Sequence, residues 1–294
     1  MRVAVTGATG LIGRRVVAVL RDRGDEVVTL SRSPGLGAVV WDPLSGPAPA
    51  EALAGCDAVV HLAGENIAQR WTAGAKERIR ASRELGTRNL VAGLRAVEPR
   101  PAALVHASGG DYYAPRGDEP VDESGPPGDG YLAQVCVAWE REASAAEPLG
   151  LRVTHVRTGP VLHRSGGALQ RMLVPFRLGL GGPVAGGRQW FPWIALDDIA
   201  GIYLAALHGG EAWAGPVNAC APEPVRNADL AKALGRALHR PAVLPVPGLA
   251  LKALYGDMAQ IVTGGVRMVP ARVTELGYRF RHPELDEALR SALG

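Results

Sequence analysis

Cysteine and lysine are both scarce. Three cysteines, Cys56, Cys136 and Cys220, stand far apart in 294 residues and form no CxxC pair. That spacing excludes a disulfide framework and points to free thiols in a reducing, cytoplasmic setting. Of 32 basic residues only Lys76, Lys232 and Lys252 are lysine, so few amines are at hand for any reaction centre. The seven histidines (61, 106, 155, 163, 208, 239 and 282) show no metal-ligand spacing, and no metal is expected. Net charge is only +3 with no basic block, so nucleic acid is not an expected partner. No apolar stretch is long and uninterrupted enough to span a bilayer. A strand beginning at residue 2 leaves no room for a signal peptide, so no membrane partner is expected. Glycine and proline are plentiful but aperiodic, which excludes a collagen-like chain and does not indicate disorder. What is present is apolar bulk, 47% of the residues, enough for a sizeable core in one large or two smaller domains.

The opening stretch MRVAVTGATGLIGRRVV is the most informative. An apolar run, Val3 to Val5, ends in Thr6, Gly7, Gly10 and Gly13, and amphipathic residues follow. That order reads as strand, tight turn and helix start, with Leu11 and Ile12 in the first turn. Unpaired backbone N–H groups and the positive end of the helix dipole suit a pyrophosphate. Gly7 is expected to turn with positive φ, Gly10 to let a ligand approach, and Gly13 to let helix and strand lie close. The chain therefore opens as a dinucleotide-binding protein.

Strands are expected at 26–31, 38–41, 57–63, 103–108 and 152–157, alternating with helices at 73–97 and 131–146. Helix 73–97 carries a charged face of Lys76, Glu77, Arg78, Arg80, Arg83 and Glu84 that reads as solvated. This alternation predicts an α/β fold, a doubly wound parallel sheet with helices on both faces. After about residue 160 the chain becomes glycine-rich and aromatic (FRLGLGGPVAGGRQWFPWI), loop-like and suited to binding substrate. Helices are expected at 197–208 and 227–238, with Asp197 and Asp198 as caps at the start of the former. The organisation expected is a cofactor domain over 1–240 and a small C-terminal domain over 241–294.

TGATGLIG (6–13), HLAGENIAQRW (61–71), SRELGTRNL (82–90), ASGGDYY (107–113), RTGPVL (157–162), GGALQRMLVPFRLGLGGP (166–183) and GRQWFPWIALDDIA (187–200) together carry a resemblance. GPVNACAPEPV (215–225), LHRPAVLPVP (238–247) and YGDMAQIV…VP…ELGYRF (255–280) extend it over essentially the whole chain. The chain resembles the extended short-chain dehydrogenase/reductase superfamily. More closely it resembles an atypical "epimerase family" with a C-terminal domain of unknown function. The long middle motif is far more specific than the glycine turn. The resemblance implies a Rossmann-type sheet with a smaller C-terminal substrate region.

The end of strand two, where NAD-preferring folds place a carboxylate, offers Arg32 between Ser31 and Ser33. A guanidinium pairs well with a 2′-phosphate, so NADP(H) is the expected cofactor; the plain alternative is a solvated loop arginine. Asp42 resembles the position that meets adenine, or forms a turn before Pro43. Leu62, Ala63 and Gly64 end the fourth strand at the expected cofactor edge, and the RTGPVL motif adds Gly159 and Pro160.

In the superfamily a serine and a Tyr-x-x-x-Lys do the chemistry. Ser108 matches the serine and Tyr131 the tyrosine, but Val135 stands where the lysine is expected, with Cys136 after it. In the nearer family the tyrosine is generally phenylalanine and the lysine is likewise absent. Asp111 and Ala114 replace the glycines of a Gly-Tyr-Tyr-Gly motif around Tyr112 and Tyr113, which places a carboxylate beside Ser108. Ala195 stands where relatives commonly carry histidine. An unassisted tyrosine, with pKa about 10, donates a proton but is a poor base, so reduction suits the site better than alcohol oxidation. Ser108 is then the polarising group, and Tyr131 or Asp111 the acid; each has a plain structural alternative, Tyr131 as a packed aromatic and Asp111 as a turn former. Arg188 resembles a basic position that extended relatives use on a nucleotide-sugar phosphate. Tyr112, Tyr113, Trp190 and Trp193 are the other candidate substrate contacts, the tryptophans alternatively stapling the fold together. The expected function is NADP(H)-dependent reduction of a small molecule's carbonyl, enone or imine. The alternatives are a nucleotide-sugar epimerase and a non-catalytic NADP(H)-binding regulator. Homodimers through helices like 73–97 and 131–146 are common in the superfamily.

Overall fold

The computed structural model describes residues 1–35 and 37–294. One sheet contains β1 (Arg2–Thr6), β2 (Glu26–Ser31), β3 (Val39–Val40), β4 (Ala58–His61), β5 (Ala103–Gly109), β6 (Arg152–Thr158) and β7 (Gly215–Ala219). The strands are parallel and lie in the order β7-β6-β5-β4-β1-β2-β3. Successive strand residues point to opposite faces, and here both faces are covered. Val3, Val5, Val60, Val105 and Val156 share one core with α1 (Leu11–Asp22) and α5 (Leu196–His208). Ala4, Val59, Leu104 and Val153 share another with α2 (Ala73–Arg95) and the end of α3 (Tyr131–Ser144). The strand order reverses between β1 and β4, and the crevice at the carboxyl ends there is where such sheets bind ligands.

The other helices of eight or more residues among the described residues are α4 (Gly167–Arg177), α6 (Asn227–Leu238), α7 (Gly248–Tyr255) and α8 (Leu285–Leu293). Within the stretch read as loop, Trp190–Phe191 pairs with Val225–Arg226 and Ile194–Ala195 with part of Val161–His163. Residues 241–294 spread their apolar side chains over several cores: Val273 beneath the sheet, Ala288 and Leu289 beside Trp193, Val266 and Met268 beside Tyr113, Met258 beside Trp71. Arg267–Met268 also pairs with Pro120–Val121. Asp198 does not cap α5 as expected. It is 1% exposed, and its carboxylate accepts the backbone N–H groups of Arg281 (2.6 Å) and His282 (3.0 Å). Asp197 instead pairs with Arg15. Among the described residues no helix is long and apolar enough to cross a membrane.

Parallel register sets Thr6, His61, His106 and His155 side by side across β1, β4, β5 and β6, all buried. Thr6 Oγ1 accepts the N–H groups of Leu62 and Ala63, so its own hydrogen goes to His61 Nδ1 at 2.6 Å. His61 Nε2–H then donates to Thr87 Oγ1 at 2.9 Å. Burial holds His61 down to about 3, and His106 and His155 also lie below the usual imidazole range. An unfolded chain takes up these protons near pH 6.5 while the folded one refuses them. Stability is therefore full above that pH and lost as pH falls from there towards about 3. His61 alone is expected to remove about 2 kcal/mol between pH 7 and pH 5, read as a drop in the urea midpoint. An unchanged midpoint across that window would refute neutral, sequestered imidazoles.

Candidate functional site

Two features meet at the carboxyl edge of the sheet: a glycine cradle and a pocket. In the cradle Gly7 has φ +67°, and a Cβ there would lie 2.6–2.8 Å from the backbone of Leu62 and Ala63. Only glycine allows the turn to lie against the end of β4. Gly13 faces the turn more than the strand, since its Cβ would meet the Gly7 carbonyl at 2.2 Å. Gly10 has one neighbour in reach, the Gly7 oxygen at 3.3 Å, which leaves its approach open. Among the described residues no side chain caps α1, and its first turn holds no acidic residue. The N–H groups of Leu11, Ile12 and Gly13 therefore remain free for an anion, and the cradle fits a pyrophosphate.

Arg32 is exposed just past β2, beside Ser31, whose hydroxyl accepts the Ser33 N–H at 3.3 Å. Both oxygens of Asp42 serve a turn, accepting from Leu44 N and Ser45 Oγ. Gly159 is a glycine for protein reasons, because a Cβ would sit 1.9 Å from the Pro192 carbonyl oxygen. The neighbouring Pro160 carbonyl accepts from Ile194 N at 3.0 Å.

The pocket, about 370 Å³, lies between Trp71, Asp111, Tyr131, Gly130, Gln260 and Val266. The loop after β5 delivers Asp111 and the N-terminus of α3 delivers Tyr131. Tyr131 packs edge-on against Trp71, and its hydroxyl donates to the Lys76 carbonyl at 2.6 Å. Burial raises its pKa. Ser108 turns the other way. Its hydroxyl donates to Glu140 Oε1 at 2.6 Å inside the protein, so the expected polarising hydroxyl is spent on a carboxylate. Cys136 is buried and its thiol is pushed up to about 12, which makes it no nucleophile. Among the described residues nothing donates a hydrogen bond to the Asp111 carboxyl. Burial raises that carboxyl to about 6, with the Arg83 guanidinium pulling in the opposite direction.

Beneath the pocket lies a network that sequence reasoning missed. Arg157 pairs with Glu140 through two hydrogen bonds of 2.9 Å, and Nη1 donates to the Tyr113 hydroxyl at 2.8 Å. Tyr113 in turn donates to Asn218 Oδ1, and its phenol is raised by burial to about 12. The Arg157 guanidinium lies 3.5 Å from the centre of the Tyr112 ring. Tyr112 and Tyr113 are thus anchors for the loop bearing Asp111, with Tyr113 also on the pocket wall.

The three expected contacts of the aromatic stretch lie elsewhere. Trp193 is wholly buried beside Leu169, Leu173 and Leu234, which corrects its assignment to substrate: its indole fills the core. Trp190 is held between the guanidinium groups of Arg226 and Arg267 and donates to Asp118. Arg188 is exposed, and neither it nor Trp190 lines the pocket.

Residues 3–218 match the NAD dependent epimerase/dehydratase family, and residues 246–292 match a domain of unknown function (DUF1731). The chain is 40% identical to epimerase family protein SDR39U1 of Mus musculus over 298 residues, covering all of both chains. It is similar to the crystal structure of human epimerase family protein SDR39U1 (isoform 2) with NADPH, at 37% identity and a TM-score of 0.91 over 99% of each chain. It is also similar to the nucleoside-diphosphate sugar epimerase of Corynebacterium glutamicum, at 36% identity and a TM-score of 0.82, covering all of this chain and 58% of that one.

Proposed function

This chain belongs to the NAD dependent epimerase/dehydratase family, and from that premise we propose that it is an NADP(H)-dependent oxidoreductase with Asp111 as its proton donor. The acceptor is a carbonyl, enone or imine of a small molecule, in keeping with a pocket of about 370 Å³. Human SDR39U1 with NADPH supports the cofactor, as does Arg32, which offers a 2′-phosphate a forked pair of donors. The cradle of Gly7, Gly10 and Gly13 would hold the pyrophosphate, and the nicotinamide when bound supplies hydride. The observation that carries the reading is the place of Asp111 on the pocket wall with no hydrogen-bond donor on its carboxyl among the described residues, and burial there raises that carboxyl to about 6. A group titrating near the working pH donates and recovers a proton most effectively. Ser108 and Tyr131 have their hydrogens committed to Glu140 and to Lys76, which leaves Asp111 to protonate the acceptor atom as charge develops on it. Ser108 then serves to hold Glu140, and Tyr131 to wall the pocket.

A stopped-flow panel of carbonyls, enones and imines tests this by NADPH consumption, with NADH expected to serve poorly. Asp111→Asn should lower kcat/KM by roughly 10²–10⁴-fold. The native rate should fall as pH rises through about 6, because the protonated form is consumed, and that limb should vanish in the variant. Tyr131→Phe should keep most of the turnover. Full activity in Asp111→Asn would refute the assignment. NADPH binding with no turnover on any acceptor would favour a non-catalytic regulator.

The same carboxyl sustains a second reading, nucleotide-sugar epimerisation, because a group at about 6 is mostly ionised at neutral pH and can take a proton from an alcohol. That reading requires epimerised sugar nucleotide without net NADPH loss, and a dependence on Arg188.

A further inference from the structure

We propose that Arg83 is the cation of the reaction centre, a cofactor-binding residue whose free guanidinium donors hold the ribose–phosphate portion next to the nicotinamide.

Arg83 leaves α2 from its inward stripe, one turn after Ile79 and one before Thr87, both fully buried. Its guanidinium rests 4.8 Å from the centre of the Trp139 ring. Nη1 donates to the carbonyls of Glu65 (3.0 Å) and Ile79 (3.3 Å), which fixes the fork in place. Nε and Nη2 have no acceptor among the described residues, which leaves three N–H bonds unspent on a partly buried group. These donors are not sealed from solvent, so they are open to the oxygens of a ligand that displaces water there.

Their location says which ligand. A Cβ on Gly64 would lie 3.3 Å from both the guanidinium carbon and Nη2, so the fork lies flat against the end of β4. Immediately before it, Leu62 and Ala63 form the wall against which the Gly7 turn is packed. Its charge also acts on Asp111 and Tyr131, both of which line the pocket. Arg83 thus lies between the pyrophosphate cradle and the proton donor. A dinucleotide bridging those two places presents there the phosphate and hydroxyls of its nicotinamide half. Val135 leaves the α3 side of the site without a cation, and Arg83 reaches the same region from α2. It also moderates Asp111: burial alone would drive that carboxyl higher, and the guanidinium draws it back towards the neutral range.

The inference rests on the dinucleotide reading above, and the two fail differently. If the native chain binds no NADPH by calorimetry, both fall. If it binds NADPH, Arg83→Gln and Arg83→Lys test the inference through two ligands: NADPH, and adenosine 2′,5′-bisphosphate, which carries only the adenosine half. Arg83→Gln should weaken NADPH at least tenfold and leave the bisphosphate within twofold. Arg83→Lys, which keeps the charge but not the fork, should fall between. An unchanged ratio of the two affinities in either variant that melts cooperatively overturns the proposal. A crystal structure of the native chain with NADPH decides independently of any variant. Nε or Nη2 within hydrogen-bond distance of the nicotinamide ribose or its phosphate supports the proposal, and a guanidinium out of reach of both overturns it.

Discussion

Gly13→Ala is expected to abolish dinucleotide binding. The added methyl would lie 2.2 Å from the Gly7 carbonyl oxygen and 2.9 Å from Ala8 Cα, where no Cβ can sit. Both partners are backbone, so no flexible side chain can yield. Relief comes only from moving the turn off α1, which takes the free N–H groups of Leu11, Ile12 and Gly13 out of line with the ligand. Preorganised donors lose most of their worth when misdirected, and the NADPH Kd should rise by at least about 100-fold, or about 2.7 kcal/mol. Gly10→Ala is the internal comparison. Its Cβ would stand 3.3 Å from the same oxygen, a contact that small adjustments relieve, so the turn should keep its shape. Calorimetry with near-ultraviolet circular dichroism separates the cases, and an unchanged Kd in folded Gly13→Ala would mean the cradle is not the binding site.

Arg157→Met should be the most destabilising single change in the core. Arg157 and Glu140 are both nearly buried, with side chains 5% and 11% exposed and paired at 2.9 Å. Removing the guanidinium strands the carboxylate and leaves the Tyr113 hydroxyl and the Glu123 carbonyl without a donor. Breaking a buried pair from one side costs about 3–5 kcal/mol, whereas replacing both partners by apolar residues is often neutral. For a chain of this size each kcal/mol is worth roughly 2–4 °C, so the single variant should melt about 6–20 °C lower. Arg157→Met combined with Glu140→Leu should recover a large share of that. A double variant no better than the single would show that the loss lies in packing around Tyr112 and not in the stranded charge.

The parallel sheet was readable because its strands are buried on both faces and appear as short apolar runs between helical stretches. The glycine turn was readable because backbone geometry, not a distant partner, dictates its residues. Direction was harder. Ser108 occupies the expected place after β5, yet its hydroxyl is claimed by Glu140, 32 residues away on α3, and nothing local announces that claim. Arg83 was read with a charged, solvated face. The spacing Ile79, Arg83, Thr87, Leu90 places it on the buried stripe instead, and that periodicity was the available signal. Trp193 and Asp198 were misassigned for a shared reason: a bulky aromatic or an acid at a helix start has a common local use, and tertiary packing overrode it in both.

Asp198 also decides how this protein can be cut and recombined. Its carboxylate is sealed under backbone N–H groups from Arg281 and His282. A shortened form ending before that point would strip both backbone donors from this carboxyl and open the packing around it. Exchange of the last fifty residues between relatives should therefore succeed only when the donor segment delivers two amides to that spot. Gradual heating should melt the tail and the sheet in one transition.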